Sequence, residues 1–113
     1  GAGAGAGIAY LLGGGLSEIS HTIVNALANV SGIICDGAKP SCAAKIATSV
    51  EAGILGYYMY RNGQQFYGGD GIVRKGVERT IANVARLGRD GMKETDQEIL
   101  DMMTEETGRG GCL

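Results

Sequence analysis

Leu16-Ser17-Glu18-Ile19-Ser20-His21-Thr22-Ile23-Val24-Asn25-Ala26-Leu27-Ala28-Asn29-Val30 is the stretch from which the fold class follows. Leu16, Ile19, Ile23, Leu27 and Val30 recur at the three- and four-residue spacing of one helical face, and His21, Asn25 and Asn29 repeat at i,i+4 on another. The segment therefore reads as a helix with an apolar face and a polar stripe. The ordinary reading of such a stripe is a solvated surface. The sharper reading is the wall of a polar site, where amide and imidazole groups orient a substrate without adding net charge.

Working outward, Gly1-Ala2-Gly3-Ala4-Gly5-Ala6-Gly7 precedes this helix and ends near Gly13-Gly14-Gly15. Three and a half repeats are too few for a silk-like strand, and no Gly-Lys-Ser/Thr follows that would make the glycines a phosphate loop. Read as a helix, the segment sets Gly1 above Gly5 and Gly3 above Gly7, two faces without side chains on which a second helix can pack closely. Glycine costs about 1 kcal/mol relative to alanine in a helix interior, so tertiary packing must hold such a helix together.

Downstream, Gly37 and Pro40 break the helix, and a loop carries Cys35 and Cys42. Ser41 is the expected N-cap of a following helix that runs through Ala43, Ile46, Val50, Ile54 and Tyr58 toward Tyr60. Cys42 would lie in its first turn, where unpaired N–H groups and the helix dipole favour a thiolate, and Lys39 acts in the same direction. Arg61-Asn62-Gly63 ends this helix. Val77, Ile81, Val84 and Gly88 mark another, from about Val73 to Gly88. A last helix starts at Met92 or at Thr95, whose spacing to Glu98 is that of a capping box, and its Ile99, Met102 and Met103 are expected to be core. Arg86, Arg89 and Lys93 read as a solvated face. The expectation is an all-α architecture of about five helices, tightly packed through Gly and Ala in the N-terminal half and amphipathic in the C-terminal half.

Composition narrows the function. With 113 residues and 44% hydrophobic content the chain can build one packed core. Ten Lys and Arg against 12 Asp and Glu give a net charge of −2 with no basic run, which argues against nucleic acid as a partner. Only six of the charges precede Asp70, so the first part reads as interior. No apolar stretch reaches the roughly 20 residues a bilayer span requires, so no membrane span is expected. Three cysteines and no opening signal peptide favour a reducing, cytoplasmic setting. A chain that opens on glycine, with a nearly uncharged half, reads as a piece of a larger protein.

Cys35 and Cys42 are spaced too widely for a common zinc knuckle and have no second Cys/His pair. Two unrelated buried thiols remain an option. An iron–sulfur cluster accepts irregular spacing but needs at least one more cysteine.

The segments Val30-Ser31-Gly32-Ile33-Ile34-Cys35-Asp36-Gly37-Ala38-Lys39-Pro40-Ser41-Cys42-Ala43, Gly69-Asp70-Gly71-Ile72-Val73 and Arg86-Leu87-Gly88-Arg89-Asp90-Gly91-Met92 resemble the iron–sulfur L-serine dehydratase alpha-chain-like family. The nearest branch of that family holds the L-cysteine desulfidases, and the resemblance runs to about Glu106. It implies that residues 1–113 are one C-terminal segment of a larger serine dehydratase alpha-like domain; beyond it, Gly108-Arg109-Gly110-Gly111-Cys112-Leu113 reads as a flexible tail from its composition. It also implies a [4Fe-4S] cluster held by three cysteines, two of which match Cys35 and Cys42. The third ligand and the catalytic base would belong to the missing N-terminal part of the protein.

The implied activity is a lyase reaction, β-elimination from L-cysteine or L-serine to pyruvate and ammonia, for which this segment alone would be inactive. Lys39, His21 and Asn25 are the candidate catalytic side chains. The expected partners are a small amino-acid substrate, the missing part of the same protein and, as an open option, further copies in a homo-oligomer. The competing reading is a non-catalytic helical interaction or structural module whose cysteine pair binds zinc or nothing. Cys112, outside the resemblance, could cap the cluster but more simply belongs to a species-specific tail.

Overall fold

The computed structural model of the chain describes residues 1–30, 34 and 40–105. Five α-helices appear among them, α1 (Ala2–Leu11), α2 (Leu16–Val30), α3 (Pro40–Arg61), α4 (Val77–Arg86) and α5 (Lys93–Glu105), with a π-helical turn at Leu87–Gly91 between the last two. The described residues contain no strand, so the all-α expectation holds. The chain is elongated, 52 × 27 × 17 Å. Its radius of gyration is 16.5 Å, against about 13 Å for a compact domain of this length.

The close packing expected of the Gly/Ala repeat is present on one of its two faces. A Cβ on Gly5 would lie 2.6 Å from the Cα of Gly53, and one on Gly53 would lie 2.8 Å from the Cα of Gly5. Gly1 abuts Ser49 one turn earlier. α1 and α3 thus run parallel with their backbones in contact, and Ala9 continues the buried line. Gly3 and Gly7 meet nothing within 4 Å.

α2 runs antiparallel to α3, with Asn25 and Thr22 beside Gly56, where a Cβ would lie 3.0 Å from that of Asn25. The core is correspondingly thin and small-sided, made of Ala9, Val24, Ala26, Ala52, Tyr57 and Val73. α1 and α3 end in the same way. Gly13 and Gly63 have positive φ, and the next residues, Gly14 and Gln64, return N–H bonds to the carbonyls of Ala9 and Met59 at 2.8 Å, the Schellman pattern.

Several details depart from the sequence reading. α3 begins at Pro40, so Ser41 is inside the helix rather than its N-cap; proline's fixed φ suits the first helical position. α4 begins at Val77, because Val73 is tied into a turn by its N–H bond to the Asp70 carbonyl and Gly76 takes φ 97°. The residue that α4 buries is Thr80. α5 starts beside Met92, one of the two starts the sequence offered, but none of its residues is buried: Met102 and Met103 are 56% and 37% exposed. Among the described elements, α5 packs against the π-helical turn alone. The weakly charged first part is likewise not all interior, since Ala43, Ala44, Ile46 and Ala47 on the first turns of α3 are exposed.

Candidate functional site

α2 turns one face toward the C-terminal end of α3 and the segment that follows it. Asn25, 1% exposed, donates from Nδ2 to the Gly56 carbonyl at 3.0 Å and accepts at Oδ1 from the Phe66 N–H at 3.3 Å. It therefore ties three segments with one side chain. The solvated-surface reading of the polar stripe fails here: only Asn29 is exposed, and Asn25 is among the most buried side chains. The glycine at 56 explains this, because the closest backbone approach draws in whatever lies opposite it.

One turn earlier, His21 stacks on Tyr60 with ring centroids 4.1 Å apart and planes 14° from parallel. His21 Nδ1 lies 2.8 Å from the Ser17 carbonyl, which can only accept, so Nδ1 carries the hydrogen and Nε2 is the ring's remaining acceptor in the neutral form. The Tyr60 and Ser17 hydroxyls are hydrogen-bonded at 2.7 Å.

The segment after α3 closes a cavity of about 210 Å³ against this face, lined in part by His21, Gln65, Tyr67, Gly68, Arg74 and Lys75. Its loop is held firmly. The Tyr67 N–H donates to Asp70 Oδ2 at 2.6 Å, and the Gly69 N–H donates to the Val73 carbonyl at 3.0 Å. Fully buried Thr80 accepts at Oγ1 from the Arg74 N–H at 3.0 Å, and Asn83 donates to the Ile72 carbonyl at 2.9 Å. Gly68 runs beside Lys75 so closely that a Cβ would lie 2.9 Å from the Lys75 nitrogen. His21 and Gln65 also line a second, more open hollow with Glu18, Tyr60 and Arg61.

On the far side of the Arg74 segment, the π-helical turn carries an exposed ion pair, Arg89 Nε to Asp90 Oδ1 at 2.9 Å. The Arg89 hydrogen bond, reinforced by the charge of Arg86, holds the Asp90 carboxyl below its ordinary pKa. Fully solvated pairs of this kind contribute little to stability.

The family model for the serine dehydratase alpha chain matches residues 1–101. The chain belongs to the serine dehydratase alpha chain family. Among its relatives are UPF0597 protein DSY1109 of Desulfitobacterium hafniense, 70% identical over 106 residues (94% of this chain, 25% of the relative). A UPF0597 protein of Lachnoclostridium phytofermentans is 54% identical over 102 residues (90% and 24%), and one of Finegoldia magna is 52% identical over 106 residues (94% and 25%). The chain thus spans about a quarter of the length of the curated relatives it matches. No solved structure matches it.

Within this serine dehydratase alpha chain segment, the described residues among those singled out in the sequence do not form one cluster. Cys42 sits half-buried in the first turn of α3, as expected. Tyr60, the stacking partner of His21, lies on the last turn of the same helix, about 27 Å further along at 1.5 Å per residue. His21 and Asn25 therefore do not wall a centre at Cys42 of the same chain. Cys35 and Lys39 lie outside the described residues, as do Cys112 and the 108–113 tail. Among the described residues no group of three or more His, Cys, Asp or Glu could hold a metal. No helix among them is long and apolar enough to cross a membrane. Gln65, Tyr60, Arg74 and Lys75 were not singled out by sequence reasoning. The only signal for the last two was a basic pair directly after a glycine-rich turn and before a helix start.

Proposed function

We propose that this chain is the C-terminal part of an iron–sulfur-dependent amino-acid lyase that removes the β-substituent of L-cysteine or L-serine and yields pyruvate and ammonia. The observation that carries the reading is the serine dehydratase alpha chain match across residues 1–101, which includes the Cys35-Asp36-Gly37-Ala38-Lys39-Pro40-Ser41-Cys42 segment.

The donor chemistry fits. A cysteine in the first turn of a long helix, with a second cysteine seven residues earlier, offers sulfur ligands of the kind that iron–sulfur clusters take. Cys35 and Cys42 would hold the [4Fe-4S] cluster together with a third ligand from the rest of the protein. When bound, a cluster with three protein ligands supplies one open iron, a Lewis acid toward a hydroxyl, thiol or carboxylate.

The remaining work belongs to side chains. A base outside this chain takes the α-proton. The β-carbon loses water from serine or sulfide from cysteine, and hydrolysis of the resulting enamine releases pyruvate and ammonia. Lys39 offers a positive charge beside the cysteines, for the thiolates or for a substrate carboxylate. His21, at the other end of α3 from Cys42, presents Nε2 as an acceptor on the cavity wall, with its tautomer fixed by the Ser17 carbonyl, and takes no part beside the cysteines of its own chain. Asn25 serves that wall by holding the Phe66 backbone in place. The same reading sets the protein in the cytoplasm, where thiol ligands are kept from oxidation.

The test is metal analysis of the full-length protein prepared without oxygen. It should be brown with about four irons per chain, and Cys42→Ser should lose most of that iron. One zinc per chain, with no iron after anaerobic reconstitution, would replace the lyase by a helical structural module.

A further inference from the structure

α1 is apolar all the way round: Ala2–Leu11 holds only Gly, Ala, Ile, Tyr and Leu, and no charged side chain precedes Glu18. A helix of that kind belongs inside a protein, with neighbours on every side. Here α2 and α3 cover one side of it, burying Gly5 and Ala9. The other side is bare. Gly3, Ala4, Gly7, Tyr10 and Leu11 share that face and are all exposed, Tyr10 at 69% and Leu11 at 82%. Leu12 and Leu16, at the corner between α1 and α2, are exposed as well. A face that presents large apolar side chains and no charge is a contact surface rather than a solvated one.

Shape selects a helix as the cover. Gly3 and Gly7 stand one turn apart, and a Cβ on either would meet nothing within 4 Å, so bare backbone runs along the face up to Tyr10 and Leu11. The opposite face of α1 shows what such a pair accepts: Gly1 and Gly5, also one turn apart, take α3 at Ser49 and Gly53. At ten residues α1 is about half the length that spans a bilayer, so lipid is not the cover. The chain spans about a quarter of the length of its curated relatives, so a protein of their size holds about three times as much polypeptide again to supply it. An element on the same polypeptide outcompetes a second copy, because tethering holds it at about millimolar effective concentration.

We propose that a helix from the part of this protein outside residues 1–113 lies along the Gly3–Gly7 face of α1, backbone close to backbone, with its apolar side chains on Tyr10 and Leu11. α1 is then an interior helix of the complete protein. The proposal shares with the lyase reading only the premise that this chain is part of a longer one.

The test is photo-crosslinking in the full-length protein with Leu11→p-benzoylphenylalanine, a position on the face but off the glycine pair. The product should keep the mass of one chain, and its crosslinked peptide should come from outside residues 1–113. A product of two-chain mass would assign the face to a second copy, and recovery of uncrosslinked chain alone would leave it in solvent; either result overturns the proposal. The wild-type protein gives an independent reading if the variant does not fold. Hydroxyl-radical labelling of Tyr10 and Leu11 should be mostly lost between the urea-unfolded and the native full-length protein, and labelling that stays near its unfolded level would also overturn the proposal. Gly7→Leu should lower the melting temperature of the full-length protein by about 4 °C or more. A leucine facing water there would raise it instead, since it gains helix propensity over glycine. None of these assays reads iron or pyruvate, so the lyase reading can fail while this proposal stands, and the reverse.

Discussion

Gly5→Ala and Gly7→Ala should have opposite consequences although they are the same change two residues apart in one helix. Both substitutions gain the same helix propensity, about 1 kcal/mol, so propensity cancels in the comparison and only the surroundings differ. At Gly7 a Cβ enters open space. At Gly5 it would come to 2.6 Å from the Gly53 Cα, and ordinary contact begins near 3.4 Å, so α1 and α3 must part by about 0.8 Å at their closest point. The obstacle is backbone and cannot swing aside.

Overpacking of this sort costs about 1–3 kcal/mol. Against the gain of about 1 kcal/mol, Gly5→Ala should be neutral to about 2 kcal/mol destabilising, and Gly7→Ala should be stabilising. The assay is urea unfolding of the 113-residue chain followed by circular dichroism, with midpoints compared at constant slope. Gly53→Ala should behave like Gly5→Ala, and Gly3→Ala like Gly7→Ala. Equal midpoints for Gly5→Ala and Gly7→Ala would refute the packing of α1 on α3.

Asn25→Ala leaves the Gly56 carbonyl and the Phe66 N–H without their partner and should cost about 2–6 kcal/mol, counting about 1–3 for each stranded group. That makes Asn25 a stability residue, with a melting-temperature drop that accompanies any loss of turnover. Thr80→Val keeps the shape but removes the hydroxyl that holds both backbone groups of Arg74. It should lower stability by about 1–3 kcal/mol and raise hydrogen exchange in residues 67–76. Lys39→Ala and His21→Ala in the full-length protein should leave iron content unchanged, and Lys39→Ala should lower turnover. If His21→Ala reduced stability as much as activity, its stack on Tyr60 would be its whole role.

The helices were legible because Gly, Pro and apolar period mark their ends plainly, and the Gly1/Gly5 face was legible because two residues without side chains at i,i+4 have one obvious use. Which face of α2 is buried was not. Hydrophobicity points to Leu16, Ile19, Ile23, Leu27 and Val30, yet Leu16 is 82% exposed and the buried positions are Thr22, Val24, Asn25 and Ala26. Burial in α2 is decided by Gly56 on another helix, a long-range pairing that periodicity within one segment does not contain. The methionines of α5 misled for a related reason, since an apolar stripe reveals that it packs but not what it packs on. The cavity was hidden because Gln65, Arg74 and Lys75 meet only through the Schellman end of α3 and the Asp70 turn, neither of which carries a periodic signal.

Pyruvate formation is the most direct measurement of the central claim. Full-length protein, prepared anaerobically and reconstituted with iron and sulfide, is mixed with L-cysteine or L-serine, and pyruvate is followed by its reduction with a coupled dehydrogenase. The account predicts pyruvate and ammonia in equal amounts from at least one of the two amino acids, with activity lost in Cys42→Ser and Cys35→Ser alongside the iron. An iron-replete preparation that makes no pyruvate from either amino acid, or a Cys42→Ser variant that turns over as fast as the wild type, would contradict it.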